Sequence, residues 1–522
     1  MQSARALAVG AAFAFAFAAA APAQTTSPDL TRLETESGNV RGIAANGVIG
    51  FKGIPFAAPP VGALRWRMPQ PVKPWQGTLS ADKFGPACMQ ADDVPKSEDC
   101  LTLNVWRPAE ASAAPLPVMV WIYGGALVHG RTSLYPADAL ARQGVVVVSM
   151  NYRIGRLGFF AHPALATEAP DDVRGNYGYM DQHAALQWVQ RNIASFGGDP
   201  AQVTIFGESA GDGSVMVHLT SPMSRGLFRA AIMESPGVPT ARAKVGGLTE
   251  IADAEALAVN YARSMGITGD APAALKALRE LPADKLSEGA TAQEQIEALS
   301  TEKPLNGFAG SIRDGKLVLE APELALASAH QAMVPVIIGA NDRDLGLGVA
   351  NSKDELFAVF GANAAQARKV YDPTGDQPLD ELKQQVFADK AMPEPARHFA
   401  DAMARAGQPA WLYRFSFLAD AHRGELKGAT HAYEIPYVFD IPAALVGDKV
   451  TDADRAMADV TSAYWVSFVK TGDPNGGGRL QWPRHEPAVD RLINFTKTGA
   501  RVEPDPIKAR LDLWQTLWTN AR

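Results

Sequence analysis

Cysteine is almost missing from this chain: two among 522 residues, Cys88 and Cys100. That excludes a multi-disulfide scaffold. No C-x-x-C or H-E-x-x-H spacing occurs either, so no metal site is expected. Positive charge is not in excess. Lys plus Arg number 49 against 56 Asp plus Glu, a formal charge of -7. Such a balance offers no basic face to nucleic acid or to an anionic membrane. Beyond the first twenty residues no apolar run is long enough to cross a bilayer, so stable membrane insertion is not expected. Serine- and glycine-rich linkers are absent, as are internal repeats. Length alone would allow several domains, but one large domain over 24–522 is the simpler expectation. With 47% hydrophobic residues such a chain can bury a sizeable core.

The apolar N-terminus belongs to another category. "MQSARALAVGAAFAFAFAAAAPAQTT" carries one cation at Arg5, an apolar stretch from Ala6 to Ala20, then Ala21-Pro22-Ala23. This is the charge, core and small-residue order of a secretory signal. Cleavage is expected after Ala23, which makes the protein secreted or periplasmic. In an oxidising compartment the two cysteines read as one disulfide.

Several runs have strand character and are bounded by turn residues: 116–125, 145–153, 203–206, 334–342 and 410–417. Each is apolar on both faces, as strands buried between helix layers are. Helical patterns alternate with them, notably "HAALQWVQRNIASFG" and "GDGSVMVHLTS". The alternation predicts an α/β fold with a large, mostly parallel sheet flanked by helices. Residues around 250–330 read as a helical insertion outside that sheet.

In open α/β sheets, function gathers at the carboxyl ends of strands. Three such ends here carry useful chemistry. "VTIFGESAGDGSV" places Ser209 between Gly207 and Gly211, after a strand and before a helix. A tight strand-to-helix turn needs small residues on both sides and presents the central hydroxyl. The N-terminal dipole of the following helix faces that oxygen. "WIYGGALVHG" ends a second strand at Gly124-Gly125, where bare backbone N–H groups can approach a ligand; with the Ala210 amide they could hold a developing oxyanion. "IIGANDRD" ends a third with clustered carboxylates. A serine hydroxyl needs a base and an orienting acid. Among nine histidines, His183 and His218 lie in helical patterns and His129 borders the glycine pair. His431, in "GATHAYEIPYVF", follows the last strand, but composition alone does not separate it from His422.

Longer blocks carry a resemblance. "FKGIPFAAPPVGALRW", "SEDCLTLNVW", "NYRIGRLGFF", "GNYGYMDQHAALQWVQRNIASFGGDPAQVTIFGESAG", "HAYEIPYVF" and "TGDPNGGGRLQWP" occur in the order typical of type-B carboxylesterases. The chain resembles that family, the large α/β-hydrolases that include cholinesterases and fungal lipases, through nearly its whole mature length. The resemblance implies Ser209 as nucleophile, His431 as general base, and an acid from a G-x-N-x-x-E-G block. Here the block reads Gly339 to Leu345, with Asp344 in the glutamate position and Asp342 as its rival. It further implies oxyanion amides from Gly124, Gly125 and Ala210, a Cys88–Cys100 disulfide, and structural ion pairs Arg65–Glu98 and Arg153–Asp181. One departure stands out. Asp212 follows the elbow where small apolar residues are usual; it reads either as a first-turn carboxylate favoured by the helix dipole or as a group aimed at the site.

These readings converge on a serine carboxylesterase acting on small-molecule esters through an acyl-enzyme, with no cofactor or metal. An interfacial lipase and a non-catalytic esterase-like binding module are the alternatives. The polar 88–100 segment argues against the first, and the retained Ser, His and Asp against the second.

Overall fold

The computed structural model describes residues 29–236, 247–346 and 348–519. The expected signal segment, 1–23, lies outside the described residues.

An eleven-stranded sheet forms the frame. In chain order its strands are β1 (Ile43–Ala45), β2 (Val48–Pro55), β3 (Thr102–Pro108), β4 (Leu116–Ile122), β5 (Val146–Met150), β6 (Gly198–Glu208), β7 (Ala230–Glu234), β8 (Val336–Asn341), β9 (Ala410–Phe415), β10 (Arg491–Thr496) and β11 (Gly499–Pro504). Across the sheet they run β11-β10-β9-β8-β7-β6-β4-β5-β3-β2-β1. Pairing is parallel from β5 through β4, β6, β7, β8 and β9 to β10. It turns antiparallel at both ends, β3 on β5 and β2 on one side, β11 on β10 on the other. The parallel centre is where the sequence is apolar on both faces. Val118 to Ile122 and Val146 to Val148 are fully buried, as strands covered by helices on both faces must be.

The helix Tyr177–Asn192 crosses over before β6, and the helix Ala210–Thr220 leads from β6 toward β7. Asp452–Thr471 is the longest helix among the described residues. Thr451 and Asp454 form a reciprocal capping box at its start, and Gly472, at φ 76°, ends it. Between 250 and 330 lie the helices Ile251–Ser264, Pro272–Glu280, Ala283–Ser287, Ala292–Thr301 and Pro322–Ala327. A two-residue strand pair, 249–250 with 312–313, closes this stretch against itself.

Cys88 and Cys100 are bonded. Arg65 grips Glu98 through two nitrogens, at 2.7 and 2.6 Å. Arg153 binds Asp181 likewise, at 2.8 and 2.7 Å, and adds its own backbone N–H. Both arginines are buried, so removing either partner would strand a charge in the core.

Candidate active site

At the carboxyl end of β6 the chain turns into the helix Ala210–Thr220 in a single residue. Ser209 takes φ 57° and ψ −122°, a conformation few L-residues adopt. What enforces it is crowding. A Cβ on Gly211 would fall 2.1 Å from the Ile122 carbonyl oxygen, and one on Gly207 only 2.6 Å from the Gly211 backbone. Helix, elbow and β4 therefore close upon one another only with glycine at both positions. The Ser209 N–H donates to the Glu234 carbonyl at 2.9 Å, locking the turn to β7.

His431 reaches this hydroxyl from a loop 222 residues further along: Nε2 lies 2.8 Å from Ser209 Oγ. Its Nδ1 lies 2.6 Å from Asp344 Oδ1. An ionised carboxylate can only accept, so Nδ1 carries a proton toward Asp344, and in the neutral imidazole Nε2 presents its lone pair to the hydroxyl. About a fifth of the His431 side chain is exposed, leaving it reachable. Asp344 is itself enclosed. Its Oδ1 also accepts from Leu345 N (2.8 Å), and Oδ2 accepts from Ser235 Oγ (2.7 Å) and Asn341 N (3.0 Å). Burial opposes its ionisation, but His431 and these donors outweigh burial and hold the carboxyl below its ordinary range.

Asp342 turns away from the imidazole and accepts from Ala429 N at 2.8 Å, pinning the histidine loop from beneath. His422 bonds Tyr433 Oη. His183 and His218 meet at Ser224 in the core. Asn341 ties the loop again, donating to Thr430 O and to Glu434 Oε2. Ser235 and Glu434 went unread in the sequence. Glu434 follows His431 by three residues in "HAYE", the only local sign of it.

Gly124 lies beside Ser209, and Gly125 follows it. A Cβ on Gly124 would sit 2.5 Å from the Glu208 carbonyl oxygen and 3.0 Å from Ser209 Cβ. Gly125 has φ 102°, and Ala126 and Leu127 follow at φ 55° and 59°. Ala210 opens its helix, so its N–H has no acceptor within the helix.

The surroundings are acidic. Glu208 Oε1 approaches His431 Nε2 to 3.2 Å. Glu208, Glu234 and Glu434 are all buried, and burial pushes each carboxyl upward. Burial alone would depress the His431 imidazolium, but the Glu208 and Asp344 carboxylates outweigh it and raise it. Asp212 is fully buried and neither of its oxygens has a hydrogen-bond partner. Burial first, and Glu208 second, push its carboxyl well above the ordinary range. Burial thus opposes the charged form that a helix dipole would favour. Among the described residues no group of His, Cys, Asp or Glu is arranged to hold a metal ion, and no helix is long and apolar enough to cross a membrane.

Comparison with known proteins extends the picture. The family described as Carboxylesterase family matches residues 29–372 and 360–514. The chain is 37% identical over 503 residues to Fumonisin B1 esterase of Sphingopyxis macrogoltabida, covering 92% of this chain and 88% of that one. It is 34% identical over 498 residues to Para-nitrobenzyl esterase of Bacillus subtilis, covering 91% and 97%. Among solved structures, a PNB esterase superposes with a TM-score of 0.78 at 31% identity, over 93% of this chain and 99% of the other. A carboxylesterase of Geobacillus stearothermophilus gives 0.76 at 31%, over 93% and 100%.

Proposed function

Since this chain belongs to the carboxylesterase family, has the α/β-hydrolase fold and is a carboxylic ester hydrolase, we propose that it works as a serine esterase through an acyl-enzyme, with Ser209, His431 and Asp344 as its triad. The observation that carries this reading is the unbroken hydrogen-bonded line from Ser209 Oγ through His431 to Asp344. Ser209 Oγ attacks the ester carbonyl as His431 Nε2 takes its proton. The amides of Gly124, Gly125 and Ala210 receive the developing oxyanion. His431 then protonates the leaving alcohol. A water activated by the same nitrogen attacks the acyl-enzyme, and the acid departs. Asp344 keeps the imidazole in its Nδ1–H tautomer and balances its charge once protonated.

The substrates are small-molecule esters. An ester of a carboxylic acid with a bulky or aryl alcohol is the first class to try, given relatives named for fumonisin and nitrobenzyl esters. Interfacial lipase action is disfavoured. The 88–100 segment, which would have to serve as lid, is tied down by its disulfide and by Lys96 Nζ donating to Gln90 O and Asp92 O. A non-catalytic binding role is disfavoured by the retained triad. The mature protein is a single domain from residue 24, exported after cleavage behind Ala23.

Ser209→Ala tests the nucleophile. Hydrolysis of a nitrophenyl acyl ester should fall by about 10⁴-fold or more, with the thermal transition unchanged. Residual activity within about tenfold of wild type, on the scale expected for a triad member, would reject the assignment.

A further inference from the structure

Gln90 belongs to none of the motifs above, yet its amide is buried and fully engaged. The side chain is 2% exposed. Its Nε2 donates to the Cys88 carbonyl and to the Gly130 carbonyl, both at 3.0 Å. Its Oε1 accepts the Gly130 N–H at 3.1 Å. One side chain thus clamps both backbone groups of Gly130, as a paired strand would, while anchored to the disulfide-bonded loop.

What Gly130 touches gives the clamp its meaning. A Cβ there would fall 2.6 Å from Tyr123 Cδ2 and 3.0 Å from the Gly124 carbonyl oxygen. That oxygen belongs to the same rigid peptide plane as the Gly125 N–H. On the other side, the peptide joining His129 to Gly130 gives its N–H to Gln90, while its carbonyl oxygen would lie 2.2 Å from a Cβ on Gly125. The N–H groups of Val128 and His129 return to the Gly125 carbonyl, at 3.0 and 3.1 Å, closing the turn. Gly125 and the peptide that carries its N–H are therefore bordered by the His129–Gly130 backbone, which Gln90 holds. Polar contacts elsewhere hold this loop at Tyr123, Leu127 and Thr132. Tyr152 Oη donates to Tyr123 O, Gly155 N donates to Leu127 O, and Thr132 N donates to Asn151 Oδ1. Gln90 holds both backbone groups of Gly130, between Leu127 and Thr132.

We propose that Gln90 is a positioning residue for ester hydrolysis: it fixes the orientation of the Gly124–Gly125 peptide and so aims the Gly125 N–H at the transition-state oxyanion. This inference rests on the oxyanion-hole reading given above. The residue touches no substrate, and its effect passes entirely through Gly130. Donors aimed in advance at a developing charge act only if they do not have to reorganise. Losing the clamp should therefore weaken transition-state binding far more than ground-state binding.

The test compares wild type, Gln90→Ala and the isosteric Gln90→Glu on nitrophenyl acetate. A trifluoromethyl ketone, whose hemiketal oxygen occupies the oxyanion position, serves as second probe. For Gln90→Ala the expected result is a kcat lower by about 10–100-fold, short of the 10²–10³ for removing a donor outright. KM should stay within about threefold, and the ketone inhibition constant should rise by the same factor as kcat falls. Gln90→Glu keeps the acceptor for Gly130 N–H but sets a second acceptor against the Cys88 and Gly130 carbonyls, so its kcat should fall at least as far as that of Gln90→Ala. It also carries the test if the alanine variant does not fold. Folded variants with unchanged kcat and ketone affinity would overturn the proposal. So would losses in KM and melting temperature with kcat intact, which mark a purely structural role. Wild type that neither turns over the ester nor binds the ketone would instead refute the underlying serine-esterase reading.

Discussion

Replacing Asp344 by asparagine keeps the shape of the side chain and changes one acceptor into a donor. The carboxylate now receives four donors: His431 Nδ1 and Leu345 N on Oδ1, Ser235 Oγ and Asn341 N on Oδ2. An asparagine must turn its amide nitrogen toward one of these pairs. Facing Ser235 and Asn341, it would leave the N–H of the completely buried Asn341 opposed by another donor. Facing His431 and Leu345, it leaves only the partly exposed Leu345 amide unpaired. A buried donor without a partner costs about 1–3 kcal/mol, so the second orientation wins. The imidazole must then accept at Nδ1 and carry its proton on Nε2, which faces Ser209 as a donor and can no longer take its proton. The loss expected for a wrong tautomer is about 10⁴-fold in kcat. Asp342→Asn is the control. That carboxyl accepts from Ala429 N and does not contact the imidazole, so its activity should stay within a few-fold. Steady-state kinetics on a nitrophenyl ester, with melting curves to confirm folding, measures both. A folded Asp344→Asn enzyme within about tenfold of wild type would refute the tautomer argument.

Other outcomes follow from the same geometry. Glu208→Gln removes a carboxylate 3.2 Å from His431 Nε2; the imidazolium loses a stabilising charge, so the acid limb of the kcat/KM profile should move to lower pH by about one unit. An unmoved or alkaline-shifted limb would contradict the assignment of Glu208 to the imidazole's electrostatics. Asp212 binds its proton more tightly folded than unfolded, so its contribution to stability is complete below the unfolded value near 3.8 and fades as pH rises toward the folded value. Asp212→Asn should therefore gain on wild type by about 1.4 kcal/mol per pH unit through that window; parallel stability curves would show the carboxyl to be solvated. Gly211→Ala would drive a methyl to within 2.1 Å of the Ile122 carbonyl oxygen; denaturant melts should show a loss of about 1–3 kcal/mol or more, and a variant as stable as wild type would mean the elbow is looser than described.

The parts legible in the sequence are those with local grammar. Ser209 was readable because two glycines, a preceding apolar run and a following helix all lie within a dozen positions. The buried centre of the sheet announced itself through runs such as 116–122, apolar on both faces. The edge strands did not. Gly499–Pro504 is partly exposed along its whole length and mixes charge with small residues, so neither alternation nor a continuous apolar run marks it. His431 and His422 share one loop after β9, and loops carry no periodicity to say which imidazole turns inward. The answer lies in Asn341 and Asp342, which hold that loop from far upstream. Ser235 and Gln90 were invisible for the same reason: a single polar residue signals nothing until its distant partners are known. Asp212 could be read either as a first-turn carboxylate or as a group aimed at the site, and what sets its environment, full burial beside Glu208, is tertiary and leaves no local sign.

The triad is tested most directly by treating the protein with a fluorophosphonate and locating the adduct by peptide mass spectrometry. One phosphonyl group per chain is expected, on Ser209 Oγ, forming at least about 100-fold more slowly when His431 is replaced by glutamine, because an unassisted serine hydroxyl is a weak nucleophile. An unlabelled protein, an adduct on another residue, or labelling indifferent to His431 would contradict the triad.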